Sequence, residues 1–164
     1  MVVLVLLGIF FSFTIPRFDG FTPKYRLRTA ARRLATKIES HRNLAISRGA
    51  WVGIRYTLDD EESYYELIRP PPAEYPYQPV EERLSYGKEK LPAGVQIRSV
   101  ALRGGDIVEA GVVLVLFSPL GTSGSHSVTF SNRGGMTWTV KFNAITGTFD
   151  FQNSELADFE DYEG

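Results

Sequence analysis

The 164-residue sequence predicts an α+β fold, and three observations carry that prediction. Apolar residues between Leu27 and Ala45 recur at helical spacing, short runs from Trp51 onward alternate between glycine- and proline-rich turns, and no second helical stretch follows. Strands gathered after a single helical region imply an antiparallel sheet rather than alternating strand-helix-strand units. Hydrophobic residues make up 43% of the chain and aromatic residues 13%, enough for one real core. One globular domain behind an N-terminal helical region is therefore the economical organisation.

The chain opens on an uncharged apolar run, Val2 to Ile15, that includes Val2, Leu4, Leu6, Leu7, Gly8, Phe10, Phe11 and Phe13 and is closed by Pro16 and Arg17. At about 1.5 Å of rise per residue the run covers about 21 Å, short of the roughly 30 Å hydrocarbon core of a bilayer. Two plainer readings compete with a membrane helix. A secretory signal fits the length but lacks a preceding basic residue and a small-residue cleavage site, and a buried core helix also fits the length.

Breakers at Asp19, Gly20 and Pro23 predict a kink, and Thr22 reads as an N-cap with Pro23 in the first turn. Leu27, Ala31, Leu34, Ile38, His41 and Ala45 follow at alternating steps of four and three, with Ala30, Ala35 and Leu44 widening the stripe. This predicts an amphipathic helix of about six turns, capped by Gly49, whose packing face is Leu27, Ala31, Leu34, Ile38 and Ala45. Arg28, Arg32 and Glu39 point away from that face. His41, at the edge of the stripe, reads as a packed, hydrogen-bonded histidine rather than a ligand.

Trp51 to Leu58 alternates as a strand, Asp59 to Glu62 is a turn, and Ser63 to Arg69 returns as its hairpin partner. The stretch from Pro70 to Pro79, with Tyr75 and Tyr77, breaks regular structure and reads as a surface excursion. Leu91 to Val95 turns into a strand that runs towards Leu102, and Gly104 to Asp106 forms another turn. Val112 to Phe117 is apolar without alternation, which predicts a strand covered on both faces or placed in the middle of the core. Further short strands are expected at 128–131, 136–143 and 148–151. The resulting segments are 1–16 (apolar helix), 17–49 (amphipathic basic helix), 50–154 (antiparallel β domain) and 155–164 (acidic tail).

Charge is distributed unevenly although the net value is -1. Lys24, Arg26, Arg28, Arg32, Arg33, Lys37, Arg42 and Arg48 face only Glu39 along the helix, whereas Glu155, Asp158, Glu160, Asp161 and Glu163 make the tail acidic. Such asymmetry suits subunit contacts or lipid headgroups better than a charged substrate. The chain contains no cysteine, which removes disulfides, thiolate nucleophiles and cysteine-based metal sites.

Catalytic signals are weak. Gly121 to Ser125 fails the nucleophile-elbow pattern at Ser125 and lacks a phosphate-loop lysine, so it reads as a flexible hairpin loop. Ser123 or Ser125 with His126 and Asp106 supplies the residue types of a triad, but sequence neighbours seldom adopt its geometry. His41 and His126 show no paired metal spacing, and the tail lacks the spaced ligands and turn glycine of a calcium loop. No catalytic residue, cofactor or metal is expected.

The N-terminal residues Gly8, Pro16, Arg17 and Phe18 resemble the start of type IV pilins and type II secretion pseudopilins, in which an apolar helix carries a glycine about two turns before a proline. Relative to that family roughly half a dozen residues and a basic leader are missing before Met1; restoring them gives about 20 residues and about 30 Å, enough to span. A truncated or misassigned start is therefore expected. Arg32 to Gly49, the turn Leu91-Pro92-Ala93-Gly94-Val95, the stretch Phe117 to Ser123 and the close Ile145-Thr146-Gly147-Thr148-Phe149 are similar, in order, to GspH/FimT-like minor pseudopilins.

That resemblance implies a long bent N-terminal helix packed on an antiparallel two-sheet β domain. It also implies a structural subunit held in the bacterial inner membrane by a single pass, with its β domain in the periplasm, that later joins a pseudopilus. The implied partners are other pseudopilins or minor pilins, the inner membrane before assembly, and secreted cargo, with Leu120, Thr122 and Ser123 beside Tyr75 and Tyr77 as partner-facing loop residues. The basic segment after Pro16 runs against this topology under the positive-inside rule, although long domains translocate regardless. Two alternatives remain: a soluble periplasmic binding module, and a DNA-binding minor pilin using Arg98, Arg103, Arg133 and Lys141, the latter disfavoured by the acidic C-terminus.

Overall fold

The computed structural model describes residues 22–59, 62–68 and 85–153. The apolar run to Pro16, the kink, the loop holding Tyr75 and Tyr77, and the acidic tail lie outside the described residues. Helix α1 (Thr22–Arg48) is followed by β1 (Val52–Leu58), β2 (Tyr64–Ile68), β3 (Ser85–Lys90), β4 (Val95–Leu102), β5 (Ile107–Val108), β6 (Gly111–Phe117), β7 (His126–Asn132), β8 (Thr137–Asn143) and β9 (Thr148–Gln152). The strands form two antiparallel sheets, one ordered β3-β2-β1-β6 and the other β5-β4-β7-β8-β9.

Helix α1 forms because its apolar positions share one face. Leu27, Ala30, Ala31, Leu34, Ile38 and Ala45 are at most 2% exposed, while Lys24, Arg28 and Arg32, spaced four apart, stay in solvent. The helix has 27 residues, about seven and a half turns and longer than its stripe alone suggests. It stops at Gly49, whose φ of 60° is left-handed: the Gly49 amide donates to the Ile46 carbonyl and the Ala50 amide to the Ala45 carbonyl, the paired bonds of a Schellman cap.

Each sheet turns one face to the helix. On the first, Val52, Ile54, Tyr56 and Leu58 of β1 align with Val113, Val115 and Phe117 of β6 and with Tyr65 and Leu67 of β2; on the second, Val128, Phe130, Val140 and Phe142 do the same. These residues and the α1 stripe make one apolar cluster, with α1 laid across both sheets. The sheets are also joined by a buried polar bond, since the Tyr56 hydroxyl on β1 lies 2.8 Å from His126 Nε2 on β7.

The sequence misleads at three strands. Val112 to Phe117 is not central: β6 is an edge strand whose inward residues Val113, Val115 and Phe117 are buried, while Val112 is 62% exposed and Leu114 and Leu116 are half-buried. Two of its outward side chains, Leu114 and Leu116, line a cleft at this edge. β3 escapes notice because its closing residues, Gly87-Lys-Glu-Lys90, are charged and carry no apolar alternation. It is held by β2, by Lys90 at 2.9 Å from Glu62, by Lys88 over the Tyr64 ring, and by the Lys37–Glu89 pair that ties it to α1. Lysines on an edge strand also discourage edge-to-edge aggregation. β5 is too short, at two residues, to show a period.

Candidate partner-binding site

The loop between β6 and β7 is built by its own serines. The Ser118 amide donates to Ser123 Oγ at 2.8 Å, the Ser123 hydroxyl donates to the Leu116 carbonyl, and the Gly121 amide donates to the Ser118 carbonyl. At the far end Ser125 Oγ accepts from the Ala144 amide, which joins this loop to the β8–β9 turn. The expectation of a flexible loop is therefore corrected: the side chains brace it from inside. Ser123, proposed from sequence as partner-facing, spends its hydroxyl within the loop, whereas Thr122 is exposed and Leu120 is 83% exposed.

Two glycines permit this path. Gly124 has φ 94°, and a β-carbon there falls 2.6 Å from Phe117 Cδ1 and 3.0 Å from the Leu116 carbonyl oxygen, neither of which has room to move. Gly124→Ala is expected to lower stability by about 2 kcal/mol, measured as the urea midpoint at constant slope. Gly121, with φ 71°, lies directly under Ile46 of α1.

Arg42 clamps the arrangement from the helix. Its Nε donates to the Gly121 carbonyl at 3.1 Å and one Nη reaches the Ala144 carbonyl at 3.5 Å, while the guanidinium lies against Gly147. One arginine thus joins α1, the β6–β7 loop and the β8–β9 turn. Around it Ile46, Leu120 and Ile145 are 44%, 83% and 61% exposed, apolar side chains held out by a braced backbone. Beside the loop a cleft of about 320 Å³ runs between Leu114 and Leu116 of β6 and Leu102 and Arg103 at the end of β4, with Thr122 to Ser125 on its rim. Projecting apolar side chains near a cleft of mixed polar and apolar lining beside an edge strand suit protein association.

The serine–histidine pairing considered from sequence does not form. His126 is 1% exposed; Nδ1 donates to the Gly124 carbonyl at 2.6 Å, which leaves Nε2 to accept from Tyr56. Burial pushes its pKa down to about 4 against the opposing pull of the Gly124 carbonyl, and burial likewise raises Tyr56 well above its usual value. Neither nitrogen serves Ser123 or Ser125. His41 is buried with Nδ1 3.1 Å from the Lys37 carbonyl, and its pKa is lowered by burial, partly offset by that carbonyl. Among the described residues no group of three or more histidine, aspartate or glutamate side chains is placed to hold a metal ion.

The four candidate DNA contacts are not brought together. Arg133 sits in the β7–β8 turn beside the start of β4, Arg103 follows the end of β4, and eight residues of strand, about 26 Å, separate them. Lys141 is only 4% exposed, and Arg98 stands alone of the four on the β4 bulge between Ile97 and Ser99. Among the described residues no helix is long and apolar enough to cross a membrane.

A helix laid across two antiparallel sheets, with a braced loop at one end, defines an α+β domain. The chain belongs to the GspH family: the family model described as Type II transport protein GspH matches residues 30–147, more than half of its length. Two solved structures of the minor pseudopilin EpsH from the type II secretion system of Vibrio cholerae have the same fold. One aligns with TM-score 0.57 at 16% identity, covering 82% of this chain and 99% of that one; the other aligns with TM-score 0.52 at 15% identity, covering 78% and 97%. No curated protein matches the sequence. The two-sheet α+β architecture that the resemblance implied is the one observed.

Proposed function

We propose that this chain is a structural minor pseudopilin of a type II secretion pseudopilus, held in the inner membrane by its N-terminal apolar segment before assembly and contributing to protein secretion. Family membership supports the setting. The observation that carries the reading is the Arg42-braced end, where Ile46, Leu120 and Ile145 stand exposed beside the β6 cleft. Association of folded subunits needs apolar anchors on a backbone already ordered, because ordering a loop on binding costs affinity. The exposed row Lys24, Arg28 and Arg32 on α1 gives a basic face for neighbouring subunits or for anionic headgroups. In this reading the β domain lies in the periplasm, sister pseudopilins and secreted cargo are the partners, and no residue performs bond chemistry.

The test is genetic complementation. In the source bacterium with this gene deleted, the wild-type chain is expected to restore appearance of type II substrates in the medium, and Leu120→Asp/Ile145→Asp is expected to accumulate to the same level yet fail to restore it. Undiminished secretion in the deletion strain itself would refute the role.

A further inference from the structure

The two edges of the first sheet are guarded differently. β3 closes one of them with Lys88, Glu89 and Lys90, all engaged with Tyr64, Glu62 or Lys37. β6 closes the other with seven residues, Gly111–Phe117, none of them charged, and among the described residues it pairs on one side only, with β1. In the second sheet β9 carries Asp150 and β5 is two residues long. Sheet edges are normally kept from other chains by charge, brevity or a cover. β6 has none of these at Val112, which is 62% exposed. At its far end the Ser123 hydroxyl donates to the Leu116 carbonyl, so that carbonyl is turned away from β1. With the two-residue period of a strand, the backbone amides and carbonyls of Val112 and Leu114 point the same way, out of the sheet edge. The β6–β7 loop thus caps the end of this edge and leaves its middle open.

We infer that β6 accepts an extended segment of a neighbouring subunit as an added strand, apolar at alternate residues and carrying a carboxylate opposite Arg103. This mode of contact rests on the assembly role proposed above. Val112, Leu114 and Leu116 stand in one row on the outer face of the sheet, where alternate side chains of a paired strand would meet them. The cleft of about 320 Å³ beside Leu114 and Leu116 gives the segment room, and Arg103 stands on its wall. Arg103 is exposed and enters no ion pair among the described residues, and no carboxylate lines the cleft; Asp106 shares the turn of Arg103 but not the cleft. A guanidinium open to that space favours an acid over a base. Backbone bonds to Val112 and Leu114 supply affinity whatever the sequence of the segment, while Arg103 and the leucine row select which segment binds.

The experiment uses the full chain, nitrogen-15-labelled and purified in detergent. The probe is an end-capped heptapeptide of alternating valine and threonine with one threonine replaced by glutamate. Titration is expected to move the amide signals of Val112, Leu114 and Arg103 and to leave those of β3 and β9 in place. The same peptide N-methylated at its interior amides keeps its side chains but loses its donors, and is expected to bind at least about tenfold more weakly. Arg103→Glu is expected to weaken the glutamate peptide about tenfold and to favour one with lysine in its place, with unchanged circular dichroism. Equal affinity of the methylated peptide, shifts confined to other parts of the domain, or no shift up to about 1 mM peptide would each overturn the proposal. Concentration-dependent shifts at β6 without peptide would also overturn it, by placing a second copy on the edge. The secretion test reads the role and not the mode of contact: a chain that restores secretion yet ignores the peptide keeps the role and loses the added strand, and peptide binding with undiminished secretion in the deletion strain does the reverse.

Discussion

Acidification from pH 6.5 to pH 4 is expected to remove about 3 kcal/mol of folding stability through His126 alone. In the unfolded chain the imidazole takes up a proton near pH 6.5; in the folded chain burial holds its pKa at about 4. Between those values the unfolded state binds more protons, so stability falls as pH falls, and from about pH 7.5 upward this residue adds almost no pH dependence. His41, lowered in the same direction, adds to the loss. Urea midpoints measured across this range for the wild-type chain and for His126→Gln test the assignment. The variant is expected to be weaker at neutral pH, because Tyr56 and the Gly124 carbonyl lose a fitted partner, and to show a flatter pH profile. An identical slope in both proteins would place the acid sensitivity elsewhere.

Leu34→Ala is expected to cost about 3 to 4 kcal/mol, the range for emptying a fully enclosed leucine site. Leu34 has no exposed surface and belongs to the one apolar cluster that α1 forms with both sheets, so its removal leaves an enclosed void. Leu120→Ala removes a side chain of the same size from a position 83% exposed and is expected to change stability by at most about 0.5 kcal/mol. Denaturation of the pair under one set of conditions separates folding from association: the first variant loses stability, and the second loses only partner binding.

The helix was the most legible element because one physical requirement, a stripe that must be buried, sets every position from Leu27 to Ala45 and a glycine marks the end. The hairpin of β1 and β2 was legible for the same reason, through its alternation. β3 was not, because its pairing comes from charge, with Lys88, Glu89 and Lys90 reaching Glu62 and Lys37, and charge carries no period. The edge position of β6 was hidden because an apolar side chain lining a cleft looks, in sequence, like one in a core. At the candidate site Leu120 and Thr122 were visible as loop residues. Arg42 was not, since an arginine among eight basic residues in a helical segment gives no sign that it spans from residue 42 to the carbonyls of Gly121 and Ala144. In sequence the histidines carry only their chemistry, and only the geometry shows that Tyr56 and the Gly124 carbonyl occupy both nitrogens of His126.

In the proposed assembly the end of the domain braced by Arg42 meets another pseudopilin subunit. A photo-activatable amino acid placed at position 120 of the full chain, irradiated in the source bacterium and followed by mass spectrometry of the adduct, tests it directly. The expected outcome is a covalent product with another pseudopilin that disappears when the rest of the secretion system is deleted. Irradiation that leaves the chain uncoupled in secreting cells, with the substituted protein restoring secretion, would contradict it.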